Sequence, residues 1–247
     1  MTLKEFFQQV PRAALAFSGG TDSALLLWAA RTCGCDVRAY FVKTVFQPAF
    51  ELADAQKLAA ELEVPLTVVE VDVLAVPQSA ANGPRRCYYC KKALFTALRA
   101  RAAEDGYPVL LDGTNASDDA GNRPGMAALR ELKVRSPLRE CGISKSEVRR
   151  MSREAGLFTW DKPAYACLAT RVPTGDAITG EALEKVERGE EALFRLGFTD
   201  FRLRLLGEAA RLQLPAEQME RAVSMRSEIN QALETDFSAV LLDLAGR

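Results

Sequence analysis

Through the first half of the chain, short apolar runs alternate with amphipathic stretches. "AALAFS" (13–18), "VRAYFVKTV" (37–45), "LTVVEVD" (66–72) and "PVLLDGT" (108–114) are nearly continuous in apolar character, as strands buried on both faces are. Between them lie segments of helical spacing, such as 49–63 and 91–104. The alternation predicts an α/β domain with a parallel sheet. A further strand is expected near "KVRSPL" (133–138), and "SKSEVRRMSREAG" predicts a helix with Ser144 as its cap and Glu147 three residues on. The first domain is expected over residues 1–156.

Residues 157–247 change character. "LFTWDKPAYACLATRVPTGDAIT" is rich in Pro, Gly and Thr without a period, and reads as a connecting segment able to carry function. A helix at about 179–196, the strands "FRLRLL" and "ARLQL", a helix over 216–234 and a last strand "AVLLDL" (239–244) predict a smaller α+β domain.

Composition narrows the chemistry. A chain of 247 residues, 48% of them apolar, can bury a core without covalent staples. Lys plus Arg number 32 against 33 Asp plus Glu, so the net field gives no reason to expect a nucleic-acid partner. The N-terminus lacks a secretory apolar region and no apolar run reaches membrane-spanning length, so a cytoplasmic protein without a membrane partner is expected. In a reducing compartment six cysteines point to metal binding or catalysis more than to disulfides. The chain has no histidine, which excludes Ser-His-Asp and Cys-His catalysis, Cys2His2 zinc and the zinc deaminase site. Activation of an acid by a nucleotide needs only backbone amides, Lys, Arg and Mg2+.

Ser18, Gly19, Gly20, Thr21, Asp22 and Ser23 stand between the first predicted strand and a helix. Glycines there let backbone amides turn toward an anion, and the helix start adds partial positive charge. The pattern is neither GxxxxGK[ST] nor GxGxxG; the competing reading is a plain turn in which Asp22 or Ser23 caps the helix. Asp112, Asn115 and Asp118 follow a strand end, where open α/β sheets bind ligands, although Asx turns use the same residues. Arg123, and Lys91 or Lys92, are candidates to meet phosphate or carboxylate. In "FRLRLL", Arg202 and Arg204 alternate with Phe201, Leu203 and Leu205, so both project from one sheet face as an anion site. Glu190 shares a helical stripe with Leu183, Val186 and Leu193 and needs a partner there, for which the arginines are natural candidates. Cys87 and Cys90, in "RRCYYCKKALF", have a spacing open to a disulfide, a redox pair, zinc with Cys141 or a carboxylate, or an iron-sulfur cluster. Cys33, Cys35 and Cys141 read as structural.

"SGGTDS" resembles the PP-loop (SGGxDS) of the ATP pyrophosphatases, which cleave ATP to AMP and pyrophosphate while adenylating a substrate. With "CYYCKKALF", "LLDGTNASDDAGNRPGMAA", "RSPL", "ACLATRVPTG" and "LGFTDFRLR" in order, the chain is similar nearly end to end to the LarE-type sulfur transferases. The resemblance implies an adenine-nucleotide alpha hydrolase-like domain, with ATP and Mg2+ at Ser18–Ser23, Asp112, Asn115, Asp118 and Arg123, and Asp22 in catalysis. It implies pyridinium-3,5-biscarboxylic acid mononucleotide as the substrate, thiolated at a carboxylate for the nickel-pincer nucleotide, with sulfide or another sulfur donor. It makes Cys167 the sulfur-handling thiol and Cys87, Cys90 and Cys167 the ligands of a 4Fe-4S cluster; some relatives instead sacrifice the Cys167 sulfur. Arg171, Glu190, Arg202 and Arg204 match residues that bind or organise the substrate phosphate, and relatives form homo-oligomers, hexamers among them. A tRNA-thiolating enzyme would be expected to add a basic face or RNA module, an amidotransferase a glutaminase. A nucleotide-binding module or iron-sulfur carrier would release no pyrophosphate.

Overall fold

A computed structural model describes residues 1–118 and 124–246. In chain order the elements are α1 (Leu3–Gln9), β1 (Arg12–Ala16), α2 (Thr21–Thr32), β2 (Asp36–Lys43), α3 (Ala49–Glu61), β3 (Leu66–Glu70), α4 (Pro77–Ala80) and α5 (Arg86–Glu104). Then follow β4 (Leu110–Leu111), α6 (Pro124–Glu131), α7 (Pro137–Glu140), α8 (Lys145–Glu154), a 3-10 turn (Leu168–Arg171) and α9 (Gly180–Arg195). The chain ends with β5 (Arg202–Leu206), β6 (Ala209–Gln213), α10 (Ala216–Ser224), α11 (Arg226–Leu233) and β7 (Val240–Leu242). Two compact units result, one of Met1–Val76 with Arg85–Lys162, the other of Pro77–Pro84 with Pro163–Arg247.

The first unit holds a parallel sheet in the order β3-β2-β1-β4, with Leu15 opposite Ala39 on one side and Leu111 on the other. Successive side chains alternate between faces. Ala13 and Leu15 therefore enter a core with Phe6, Leu26, Leu138 and Val148, whereas Ala14 joins Tyr40, Leu98 and Ala102 on the opposite face. Burial on both sides explains the uninterrupted apolar runs, and the parallel-sheet expectation holds. Because β1 and β4 are parallel neighbours, the loops after them emerge side by side.

Two expectations need correction. The strand expected at 133–138 is a single bridge between Leu111 and Arg135, because Pro137 opens α7, where its fixed φ and missing N–H suit a first helical turn. The helix expected over 216–234 breaks at Met225 (φ −95°, ψ 23°), next to Ser224, whose hydroxyl donates back to the Arg221 carbonyl at 2.8 Å. The predicted cap of α8 is present in full: the Ser144 side chain accepts from the Glu147 amide, and Glu147 reaches back to the Ser144 amide.

In the second unit β5 pairs antiparallel with β6, and β6 parallel with β7. Leu203 and Leu212 pack against Leu193, Ile229, Leu233 and Phe237. Gly189 of α9 lies directly over the Leu203 side chain, where a Cβ would collide, so its absence lets helix and strand close together. Residues 77–84 belong here through buried Asn82, whose Nδ2 donates to the Pro173 carbonyl at 2.8 Å and whose carbonyl accepts from Gly175 at 3.1 Å. Among the described residues no helix is long and apolar enough to cross a membrane.

Candidate active site

Between β1 and α2 the chain turns through Gly19 at φ +70°, a conformation that favours glycine. A Cβ at Gly19 would also sit 3.1 Å from the Ala55 amide of α3. Gly20 occupies the N-cap in extended conformation with no side-chain cap, so neither Asp22 nor Ser23 caps the helix start. Ser18 Oγ accepts weakly from the Gly20 amide at 3.4 Å and lies 3.2 Å from Ser23 Oγ, while Ser23 donates to the Gly20 carbonyl at 3.1 Å. Thr21 is buried, its hydroxyl donating 2.8 Å to the carbonyl of Thr159. Asp22 accepts from Asn115 Nδ2 at 3.0 Å and from Lys145 Nζ at 2.5 Å.

The loop opens onto two adjoining cavities within the first unit. One, of about 420 Å³, is faced by Ser18, Gly20, Asp22 and Asp118, together with Cys87 and Lys91. The other, of about 340 Å³, is largely apolar, with Phe17, Phe41, Val42, Phe95 and Leu98. Ser18 and Lys91 line both.

The residues after β4 divide between site and turn. Asp112 is buried and serves the turn, accepting from Thr114 Oγ1 at 2.5 Å and Ser136 Oγ at 2.6 Å. Asn115 does both, its Oδ1 accepting from the Ser117 amide at 2.8 Å while its Nδ2 holds Asp22. Asp118 accepts from the Asn115 amide at 3.0 Å and faces the polar cavity. Gly113 permits this approach, since a Cβ on it would lie 2.9 Å from the Ser23 amide. Arg123 lies outside the described residues.

Cys87 and Cys90 occupy the start of α5, the first exposed and facing the polar cavity, the second half-buried. Cys167 caps the 3-10 turn of the second unit, its carbonyl accepting from the Thr170 amide and hydroxyl, both at 2.9 Å. Among the described residues, no three Cys, Asp or Glu side chains form a group that could hold a metal ion. The two α5 thiols stand one turn apart on one helix. Burial raises the pKa of Cys33, Cys141 and Cys35, the last to about 11, and the Cys35 thiol donates to the Val10 carbonyl at 3.3 Å, as a structural cysteine would.

In the second unit Arg171 and Glu190 are buried together. Arg171 donates Nε to Glu190 Oε1 at 2.6 Å, and Glu190 also meets the Tyr165 hydroxyl and the Leu203 amide at 3.2 Å. Arg171 is thus an ion-pair partner of Glu190. Arg202 donates to the Ala164 carbonyl at 2.9 Å and Arg204 to the Thr170 carbonyl at 2.6 Å, so both reach the segment that carries Cys167 from one face of the sheet.

Lys145 is the site residue that sequence reasoning missed. It stands at the first position of α8, where a cation opposes the helix dipole, and that misfit was a signal that it has a partner.

No family profile matches the chain. It is 33% identical to the pyridinium-3,5-bisthiocarboxylic acid mononucleotide synthase of Lactiplantibacillus plantarum, over 99% of this chain and 90% of that protein. An uncharacterized protein of Synechocystis is 40% identical over 99% of this chain and 92% of its own length. An uncharacterized protein of Methanocaldococcus jannaschii is 32% identical over 77% of this chain and 72% of its own length.

Proposed function

Because the chain belongs to the LarE-type family of sulfur transferases, that of the pyridinium-3,5-bisthiocarboxylic acid mononucleotide synthase, we propose that it thiolates a carboxylate of pyridinium-3,5-biscarboxylic acid mononucleotide at the expense of ATP, a step of nickel-pincer nucleotide synthesis. The observation that carries this reading is the start of α2, without a side-chain cap and open to a cavity faced by Asp22, Asp118 and Lys91, which shares Ser18 with a second cavity faced by Phe17, Phe41, Phe95 and Leu98. An adenosine with a triphosphate has that division of apolar and anionic parts.

In this reading the adenosine occupies the apolar cavity and the triphosphate meets the amides of Gly19 and Gly20 with the hydroxyls of Ser18 and Ser23. Asp22 and Asp118 face the same cavity, a donor set that fits magnesium arriving with ATP, since that ion takes one or two carboxylates plus phosphate oxygens. A carboxylate oxygen of the substrate bonds to Pα as the bond from Pα to the bridging oxygen breaks, and pyrophosphate leaves with that electron pair. Sulfide then attacks the acyl carbon, AMP leaves, and a thiocarboxylate remains. Arg202 and Arg204, alternate residues of β5 beside the Arg171–Glu190 pair, supply the guanidinium charge for the substrate phosphate.

Cys87, Cys90 and Cys167 would hold the 4Fe-4S cluster. When bound, the cluster supplies sulfide without consuming the protein. A second reading, in which Cys167 gives up its own sulfur, accords with the finding that no group of three Cys, Asp or Glu among the described residues could hold a metal ion. Assembly as a homo-oligomer is part of the same proposal.

Pyrophosphate release from ATP that depends on the mononucleotide tests the adenylation. Release that is independent of it, or absent, contradicts the proposal.

A further inference from the structure

Lys91 and Lys92 are adjacent in sequence and have different surroundings. Lys92 is exposed and bound to the outer surface of α5 and α6, its Nζ donating to Tyr88 Oη and Glu131 Oε2, each at 3.1 Å. Lys91 is half-buried and lines both cavities, a place it shares with Ser18 of the phosphate loop. It also follows Cys87 by one helical turn, so both side chains address the polar cavity from one face of α5.

The path of the Lys91 side chain depends on Gly125, at the start of α6. A Cβ at Gly125 would lie 2.8 Å from Lys91 Cδ and 3.2 Å from Cε. The close contacts of such a methyl group are with the outer part of a flexible side chain, while the nearest backbone atom, the Cys87 carbonyl oxygen, lies at an ordinary 3.6 Å. The first consequence of the methyl group is therefore a displaced ammonium and not a disrupted helix pair.

We propose that Lys91 is a catalytic residue, placed by Gly125, that contacts the α-phosphate of ATP and stabilises the charge that develops as pyrophosphate leaves. The inference rests on the ATP reading above and follows from covalent order. If the nucleoside fills the apolar cavity and the β- and γ-phosphates the polar one, Pα lies where the cavities meet, and so does Lys91. As the carboxylate oxygen bonds to Pα and the Pα–O bond breaks, the bridging oxygen takes the electron pair. An ammonium fixed at that point stabilises this state more than the ground state, which lowers the barrier and leaves ATP affinity less affected.

The test measures pyrophosphate release from MgATP plus the mononucleotide in wild type, Lys91→Met, Lys91→Arg, Gly125→Ala, the Lys91→Met/Gly125→Ala double variant and Lys92→Met. Lys91→Met should lower kcat by about 100-fold or more while the KM for ATP changes less, and Lys91→Arg should recover part of the loss. Gly125→Ala should lower kcat in the wild-type background and cost nothing further once Lys91 is Met, because its effect passes through that side chain. Lys92→Met should behave as wild type. Release by Lys91→Met within about twofold of wild type would overturn the catalytic role. An equal cost of Gly125→Ala in both backgrounds would overturn the positioning role. A wild-type protein that binds no ATP and releases no pyrophosphate would overturn the ATP reading itself and this inference with it.

Discussion

Arg171 and Glu190 are joined by two hydrogen bonds, 2.6 Å from Nε and 3.2 Å from the second terminal nitrogen, with the side chains 0% and 2% exposed. Glu190 also accepts from the Leu203 amide and Arg171 donates to the Ala166 carbonyl, so the pair connects α9, β5 and the Cys167 segment inside the second unit. Removing one partner leaves a buried charge uncompensated. Arg171→Met or Glu190→Met should each cost about 3–5 kcal/mol in urea denaturation, and the Arg171→Met/Glu190→Met double variant less than the sum. Strict additivity would mean that the two charges do not act as a pair.

Asp22 separates chemistry from stability. Its bond to Lys145 joins two partly solvated side chains, 26% and 35% exposed, and such a pair contributes only about 0–1 kcal/mol. Asp22→Ala should abolish pyrophosphate release while the fold persists with a modestly lower thermal midpoint, the cost of the lost bond from buried Asn115. Undiminished ATP cleavage would remove the loop carboxylate from the mechanism.

The cysteines should differ in reactivity. Cys87 is exposed, whereas Cys35 is buried with its pKa raised to about 11, so at pH 8 only about one Cys35 in a thousand is thiolate. Peptide mapping after brief alkylation of the folded, iron-free protein should find Cys87 modified and Cys35 protected, with the contrast lost in urea. Equal labelling of both in native protein would contradict the packing around Cys35.

Acid should weaken the first unit in a defined window. The Tyr88 hydroxyl and then Lys92 hold Glu131 below its ordinary value of 4.5, and Arg101 and then Tyr40 hold Asp105 below 3.8. A carboxylate with a lowered folded pKa stabilises the fold above its unfolded value, and that contribution is lost as pH falls through the folded value. Urea midpoints should therefore decline as pH drops from 4.5 downward, less steeply in Tyr88→Phe. Identical profiles for the two proteins would show that the Tyr88 bond contributes nothing to this dependence.

How much was legible in the sequence follows from which signals are local. Ser144 and Glu147 sit three residues apart, and their reciprocal cap could be read directly. The apolar runs of β1 and β2 carried the parallel sheet because both faces of those strands are buried. "KVRSPL" misled because its apolar content resembled a strand while Ser136 and Pro137 were already starting a helical turn. The bond from Lys145 to Asp22 spans 123 positions, and no periodicity records such a distance. Lys91 and Lys92 were interchangeable on the page, because the difference between them lies in Gly125 and Glu131, residues of another helix. The grouping of residues 77–84 with the second unit depends on Asn82 meeting Pro173 and Gly175, again a contact at long range.

The central claim is that ATP drives exchange of a carboxylate oxygen for sulfur. It is tested most directly by mass spectrometry of both substrate and protein after reaction under anaerobic conditions with MgATP, the pyridinium mononucleotide and sulfide. The account predicts a product heavier by one sulfur-for-oxygen exchange, formed in step with AMP and pyrophosphate, and a Cys167 that keeps its mass over several turnovers. Loss of hydrogen sulfide from Cys167 in proportion to product would transfer the sulfur source to the protein itself. ATP consumed with no sulfur in the mononucleotide would contradict the account.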